Sequence, residues 1–210
     1  MANFLGNHDP GATVGLAGRP AEGLRVEDQV VLPAAFDPAA VGAWRQAAAA
    51  HAAGRLAPGR IGRSPQQEAA TRGGVRCWVA AGDPDAALAG LHATLEALRL
   101  ALDRVALLGL RSLEVQLARY APGAGYARHR ERFADGGARV VSLLLHLNAG
   151  WDPADGGALR LHATDGSHRD VLPEGGTLVA FLSAAVEHEV LATRRERWSV
   201  AAWLRDDAPG

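Results

Sequence analysis

Apolar positions follow two rhythms along the chain. Leu88, Leu91, Leu95, Leu98 and Leu102 recur at intervals of three and four, which predicts one stripe of an amphipathic helix packed on a sheet. Asp83-Pro84 just before it is a helix-start signal, and Asp37-Pro38 opens an earlier Ala-rich helix expected to end near Gly54. After Gly109 the period drops to two. Leu113, Val115 and Leu117 alternate with Glu114, Gln116 and Ala118, as in a strand with one buried face. Arg139 to Leu147 reads as a buried strand. Ala158–His162, Thr177–Leu182 and Trp198–Leu204 follow as shorter ones, two of them after the turns Asp155-Gly156-Gly157 and Pro173-Glu174-Gly175-Gly176. Helices followed by many short strands with Gly-rich turns predict an α+β chain with a β-sandwich or jelly-roll core. Residues 1–24 show no sustained period and read as a flexible tail. Residues 25–210 read as one domain, with helical support over 37–108 and the β core over 110–205, and residues 55–75 as a long loop.

Composition narrows the function. The 210 residues carry a formal charge of −1, and with no lysine present all 22 basic residues are arginine. A near-neutral chain without a basic cluster among aromatics is not expected to bind nucleic acid. No apolar run approaches the roughly 18 residues of a membrane span. Residues 1–20 lack a basic region followed by an apolar one, so no secretory signal is expected and the cytoplasm is the expected location. The single cysteine, Cys77, excludes an internal disulfide, a Cys-rich zinc site and an iron–sulfur cluster, and reads as a small buried residue. A metal here must therefore be held by His, Asp or Glu.

One segment offers such ligands. His129 and Glu131 are two apart, so on a strand both point to one face. His188 lies 59 positions further on, in Val186-Glu187-His188-Glu189-Val190. Two His and one carboxylate form the facial triad of non-haem Fe(II) oxygenases. Arg197 follows nine positions after His188, where an antiparallel partner strand would return its guanidinium beside the metal. Its planar fork suits a carboxylate.

The ordered blocks Tyr120…Pro122-Gly123…Gly125-Tyr126…Arg128-His129, Leu147-Asn148…Trp151, Gly156-Gly157…Leu159-Arg160 and His188-Glu189-Val190 with Arg197 and Trp203 resemble the catalytic core of prolyl-4-hydroxylase-type, Fe(II)- and 2-oxoglutarate-dependent dioxygenases. The resemblance is to the branch of the hypoxia-sensing prolyl hydroxylases and their bacterial relatives. Arg72-Gly73-Gly74…Trp78 is similar to an upstream block of that branch. The resemblance implies a double-stranded β-helix (jelly roll) with supporting N-terminal helices. It implies His129, Glu131 and His188 as iron ligands and Arg197 on the distal carboxylate of 2-oxoglutarate, with Tyr120 and His146 in that pocket. Arg72, Arg128 and Trp203 fall where substrate contacts are expected. Fe(II), 2-oxoglutarate and O₂ are the implied cofactor and cosubstrates, with L-ascorbate as a further cofactor.

The implied reaction hydroxylates a prolyl or other residue of a protein or peptide, releasing succinate and CO₂. A free amino acid or other small molecule as substrate, and a non-catalytic sensor that binds iron and 2-oxoglutarate, are the alternatives. Three departures from the branch stand out. Glu131 replaces the usual Asp ligand, His146 replaces a pocket tyrosine, and Gly74 replaces an Asp. His162 and His168 bracket Asp165 as a second metal candidate, though a surface loop is the plainer reading.

Overall fold

A computed structural model describes residues 10–55, 57–58, 74–131 and 138–207, with side chains over 18–51, 74–131 and 138–207. Three helices come early: α1 (Pro10–Val26), α2 (Pro38–Arg55) and α3 (Ala86–Ala106). The leucine stripe of α3 is fully buried, as its period requires. Asp85, not Asp83, caps α3. Its carboxylate accepts from the Ala87 and Leu88 amides, while Asp83 accepts from the Asp85 amide. The proline between them cannot donate, so the cap moves one residue past it.

Helix α1 corrects the expectation of a flexible tail over residues 1–24. The helix begins at Pro10 and packs against α3, with Ala21 and Leu24 buried. Its small residues give little amphipathic signal, and tertiary contact supplies what the local pattern does not. Residues 1–9 lie outside the described residues, as does most of the loop expected over 55–75.

Eleven strands form two antiparallel sheets among the described residues. The major sheet runs β1 (Gln29–Leu32), β9 (Leu178–Leu182), β6 (Arg139–His146), β11 (Arg197–Arg205), β4 (Ser112–Tyr120), β3 (Gly74–Trp78) and β2 (Ala57–Pro58). The minor sheet runs β5 (Tyr126–His129), β10 (Glu187–Val190), β7 (Leu159–His162) and β8 (His168–Val171). Each central strand of the major sheet has two uses. Val115, Leu117, Val141, Leu143, Leu145, Val200, Ala202 and Leu204 face the helices and join their leucines in the larger core. The alternate residues face the minor sheet across a smaller core built on Leu159, Leu161, Val179, Phe181, Val186 and Val190. The fold is the jelly-roll, double-stranded β-helix architecture expected from the sequence.

Candidate active site

The polar side chains gather between the two sheets. Strand β10 lies between β5 and β7, and His188 is register partner to His129 on β5. One extra residue on β5 separates this pair from Tyr126↔Val190. That bulge turns Tyr126 and His129 the same way, their rings 4.4 Å apart. Glu131 sits just past the end of β5, not on the strand itself, and its carboxylate folds back to the two imidazoles. Its Oε1 lies 3.3 Å from His129 Nε2 and 3.5 Å from His188 Nε2. One ligand atom from each of the three residues falls within 4.8 Å of the others. Cis ligands at about 2.1 Å from a shared transition ion stand about 3 Å apart, so this donor set suits a divalent iron. Burial opposes ionisation of Glu131, but hydrogen bonds and charge from His129 and His188 outweigh it and hold the carboxyl well below its usual range. Burial also lowers His188, which favours the neutral imidazole a metal needs.

Arg197 reaches the same cavity from the other sheet. Its strand, β11, is not the partner of β10; it faces β10 across the sandwich, which corrects the antiparallel return expected from the nine-residue offset. Arg197 is 1% exposed. It donates to the Gly157 carbonyl (2.8 Å) and to Ser199 Oγ (3.1 Å), and lies 5.2 Å from the Tyr120 ring centroid. Gly157 has φ +69°, and a Cβ there would lie 3.3 Å from Arg197 Cδ, so the turn glycine also makes room for the arginine. Burial pulls the guanidinium down to about 10, partly opposed by Tyr120, so it stays charged at neutral pH. No carboxylate pairs with it among the described residues. A buried cation without a counter-ion is costly. His146, register partner of Ser199, is fully buried, and both its ring nitrogens lack hydrogen-bond partners among the described residues. Burial, then the charge of Arg197, holds it well below the usual imidazole range. A cation and two orphaned ring nitrogens beside a cavity fit a bound carboxylate such as that of 2-oxoglutarate.

Asn148 ties this region together. Its side chain donates to the carbonyls of Pro173 and Trp198 and accepts from the Trp198 amide, which fixes the start of β11 next to Arg197. The cavity holds about 460 Å³, within the range of small-molecule sites. Arg76, Arg139, Trp78 and Trp203 are among its lining; Trp78 is 55% exposed, whereas Trp203 is buried. Arg128 does not line the cavity; it points outward and pairs with Glu187, because the bulge sends it to the opposite side from His129. Arg72 lies outside the described residues. His162 and His168 face each other on β7 and β8, His162 bonds Glu189 at 3.0 Å, and they gather no third ligand among the described residues.

Sequence reasoning missed Ser199 and Arg139. Ser199 was legible as a polar residue two after Arg197 on an apolar strand. Arg139 stands at the head of a buried strand, where a charge asks for a partner, but no spacing rule names Glu131 and Glu114 as the partners it has.

Residues 115–205 match the 2OG-Fe(II) oxygenase superfamily. A prolyl-4-hydroxylase from Pseudomonas putida is 35% identical, with a TM-score of 0.81, over 92% of this chain and 100% of that one. A Trichoplax adhaerens prolyl hydroxylase in complex with a peptide fragment of the hypoxia inducible factor oxygen degradation domain shares the fold at 20% identity, TM-score 0.83, over 97% and 94% of the two chains. The viral collagen prolyl hydroxylase of Paramecium Bursaria Chlorella virus-1, in its 2OG complex, shares it at 16% identity, TM-score 0.62, over 87% and 98%. With Fe(II), 2-oxoglutarate and O₂ as its cofactor and cosubstrates, the chain belongs to the prolyl-4-hydroxylase-type 2OG-Fe(II) oxygenases and is a 2-oxoglutarate-dependent dioxygenase.

Proposed function

We propose that this dioxygenase hydroxylates a prolyl residue within a protein or peptide. His129, Glu131 and His188 hold the iron. Arg197 and Ser199 receive the distal carboxylate of 2-oxoglutarate, with Tyr120 and His146 walling that end of the pocket. Iron with 2-oxoglutarate supplies the hard chemistry, in which O₂ is spent on decarboxylation to succinate and CO₂ and on one substrate hydroxyl. The chain's own groups position and exclude. The buried guanidinium orients the cosubstrate by a charge-assisted pair in a dry site, where such a pair is stronger than in water. Phe181, packed on the His188 ring at 4.7 Å, closes the apolar side of the metal site against solvent. A Glu131 carboxyl held ionised and a His188 imidazole held neutral keep those ligands available, so activity should fall on acidification.

The observation that carries a chain-borne substrate is an exposed aromatic in the lining of the cavity. Trp78 is exposed beside Trp203, their rings 5.9 Å apart, and the guanidinium of Arg139 lies 3.7 Å from the Trp203 centroid. Aromatic and arginine surfaces of this kind are typical anchors for a protein partner. The peptide bound to the Trichoplax relative points the same way. The test is incubation with Fe(II), 2-oxoglutarate, O₂ and a library of proline-containing peptides. Succinate formation with a one-oxygen mass gain on a peptide proline is expected. Oxygen transfer confined to free amino acids or other small molecules would overturn the peptide reading.

A further inference from the structure

The carboxylate at the metal site is a glutamate, whose extra methylene adds a rotatable bond and lets both oxygens swing toward one point. Here the two oxygens have separate partners. Oε1 faces the Nε2 atoms of His129 and His188 at 3.3 and 3.5 Å, and Oε2 accepts from Arg139 Nη1 at 3.1 Å. Arg139 is itself fixed on three sides. Its Nε and Nη2 donate to Glu114 Oε2 at 3.2 and 3.0 Å, and its plane lies over the Trp203 ring. Glu114 is held in turn by Arg205, and Arg205 by Asp207 at 2.8 and 2.6 Å. The register pairs Trp203↔Glu114 and Arg205↔Arg139 bring these groups together at one end of β4, β11 and β6.

We infer that Arg139 is a positioning residue that makes Glu131 offer one oxygen, and only one, to the metal. The inference rests on the metal-site reading above. A guanidinium fork spans two carboxylates at fixed angles, so it holds Oε2 away from the metal while Glu114 keeps the fork from turning. A lysine ammonium would carry the same charge without that geometry. With Oε2 occupied, Glu131 cannot take a second coordination position, and that position stays open for cosubstrate. The longer ligand arm thereby does the work of a shorter one.

The test titrates the apoprotein with Co(II) and reads affinity, together with the metal-induced infrared difference spectrum. A wide splitting of the two carboxylate stretches marks one-oxygen ligation and a narrow one marks chelation. Arg139→Lys keeps the charge and should narrow the splitting as Oε2 turns to the metal, with Co(II) affinity changed by about 10- to 100-fold, the range for outer partners of metal ligands. Glu114→Gln should shift both readouts in the same sense by less, and it carries the test should Arg139→Lys not fold. Both effects should vanish in a Glu131→Ala background. Wild-type affinity and splitting in Arg139→Lys and Glu114→Gln, with binding still lost in His188→Ala, would overturn the inference alone. Equal changes in affinity in the Glu131 and Glu131→Ala backgrounds would also overturn it, because Arg139 would then act only through the fold. Co(II) binding that survives His188→Ala would overturn the metal-site reading and the inference with it.

Discussion

The two faces of strand β11 differ in what they ask of their residues. Trp198, Val200, Ala202 and Leu204 are buried toward the helices, where apolar volume is the main demand and the leucines of α3 fill the gaps. Arg197, Ser199, Ala201 and Trp203 alternate with them and face the cavity. There, among the described residues, a buried cation lacks a carboxylate and neighbouring His146 lacks partners for both nitrogens. One backbone thus carries a face built for stability and a face that gives up stability for a ligand.

That contrast can be broken at its strongest point first. Leu95→Ala, on the helix side, should cost about 2–5 kcal/mol of unfolding free energy and leave 2-oxoglutarate affinity unchanged below the melting transition. Denaturant melts and calorimetric titration check both halves. A matching loss of 2-oxoglutarate affinity would show that the two faces are not independent. Arg197→Met, on the cavity side, should reverse the pattern. It should weaken 2-oxoglutarate by about 10- to 100-fold, as expected for losing hydrogen bonds to a charged group, and leave the apoprotein as stable as wild type or more so. Equal 2-oxoglutarate affinity would mean that another cation holds the cosubstrate. His146 gives the smallest effect and the finest test. Burial, then Arg197, lowers its pKa in the folded state from 6.5. The unfolded chain therefore takes up a proton below about pH 6.5 that the folded chain refuses. Its contribution is complete above that pH and is lost as the pH falls, by up to about 1.4 kcal/mol per unit. The stability difference between wild type and His146→Gln should shrink or grow with pH only below about 6.5; a flat difference would show that His146 titrates freely.

How much could be read without coordinates varied by element. The α3 stripe and the strands over 112–120, 139–146, 178–182 and 197–205 were legible because each buries one face and repeats its period. Strands β1, β2, β3 and β8 were not anticipated; they are short, and β8 is mostly exposed, so none carries a long alternation. Helix α1 was hidden for the related reason that its residues are small. At the site, His129, Glu131 and His188 were legible from residue type and order. The bulge in β5 that aims Tyr126 and His129 together was not, since nothing in Tyr126-Ala127-Arg128-His129 marks the extra residue.

The sequence by itself determined the periods, the turns and the donor set, because these depend on residue type and on neighbours a few positions away. Only the tertiary structure decided that Arg197 reaches the cavity from the sheet opposite His188, that Arg128 turns outward, and that Arg139 divides its fork between Glu131 and Glu114. Those relations join residues on different strands and loops, and the packing of two sheets, not any local preference, sets the distances between them.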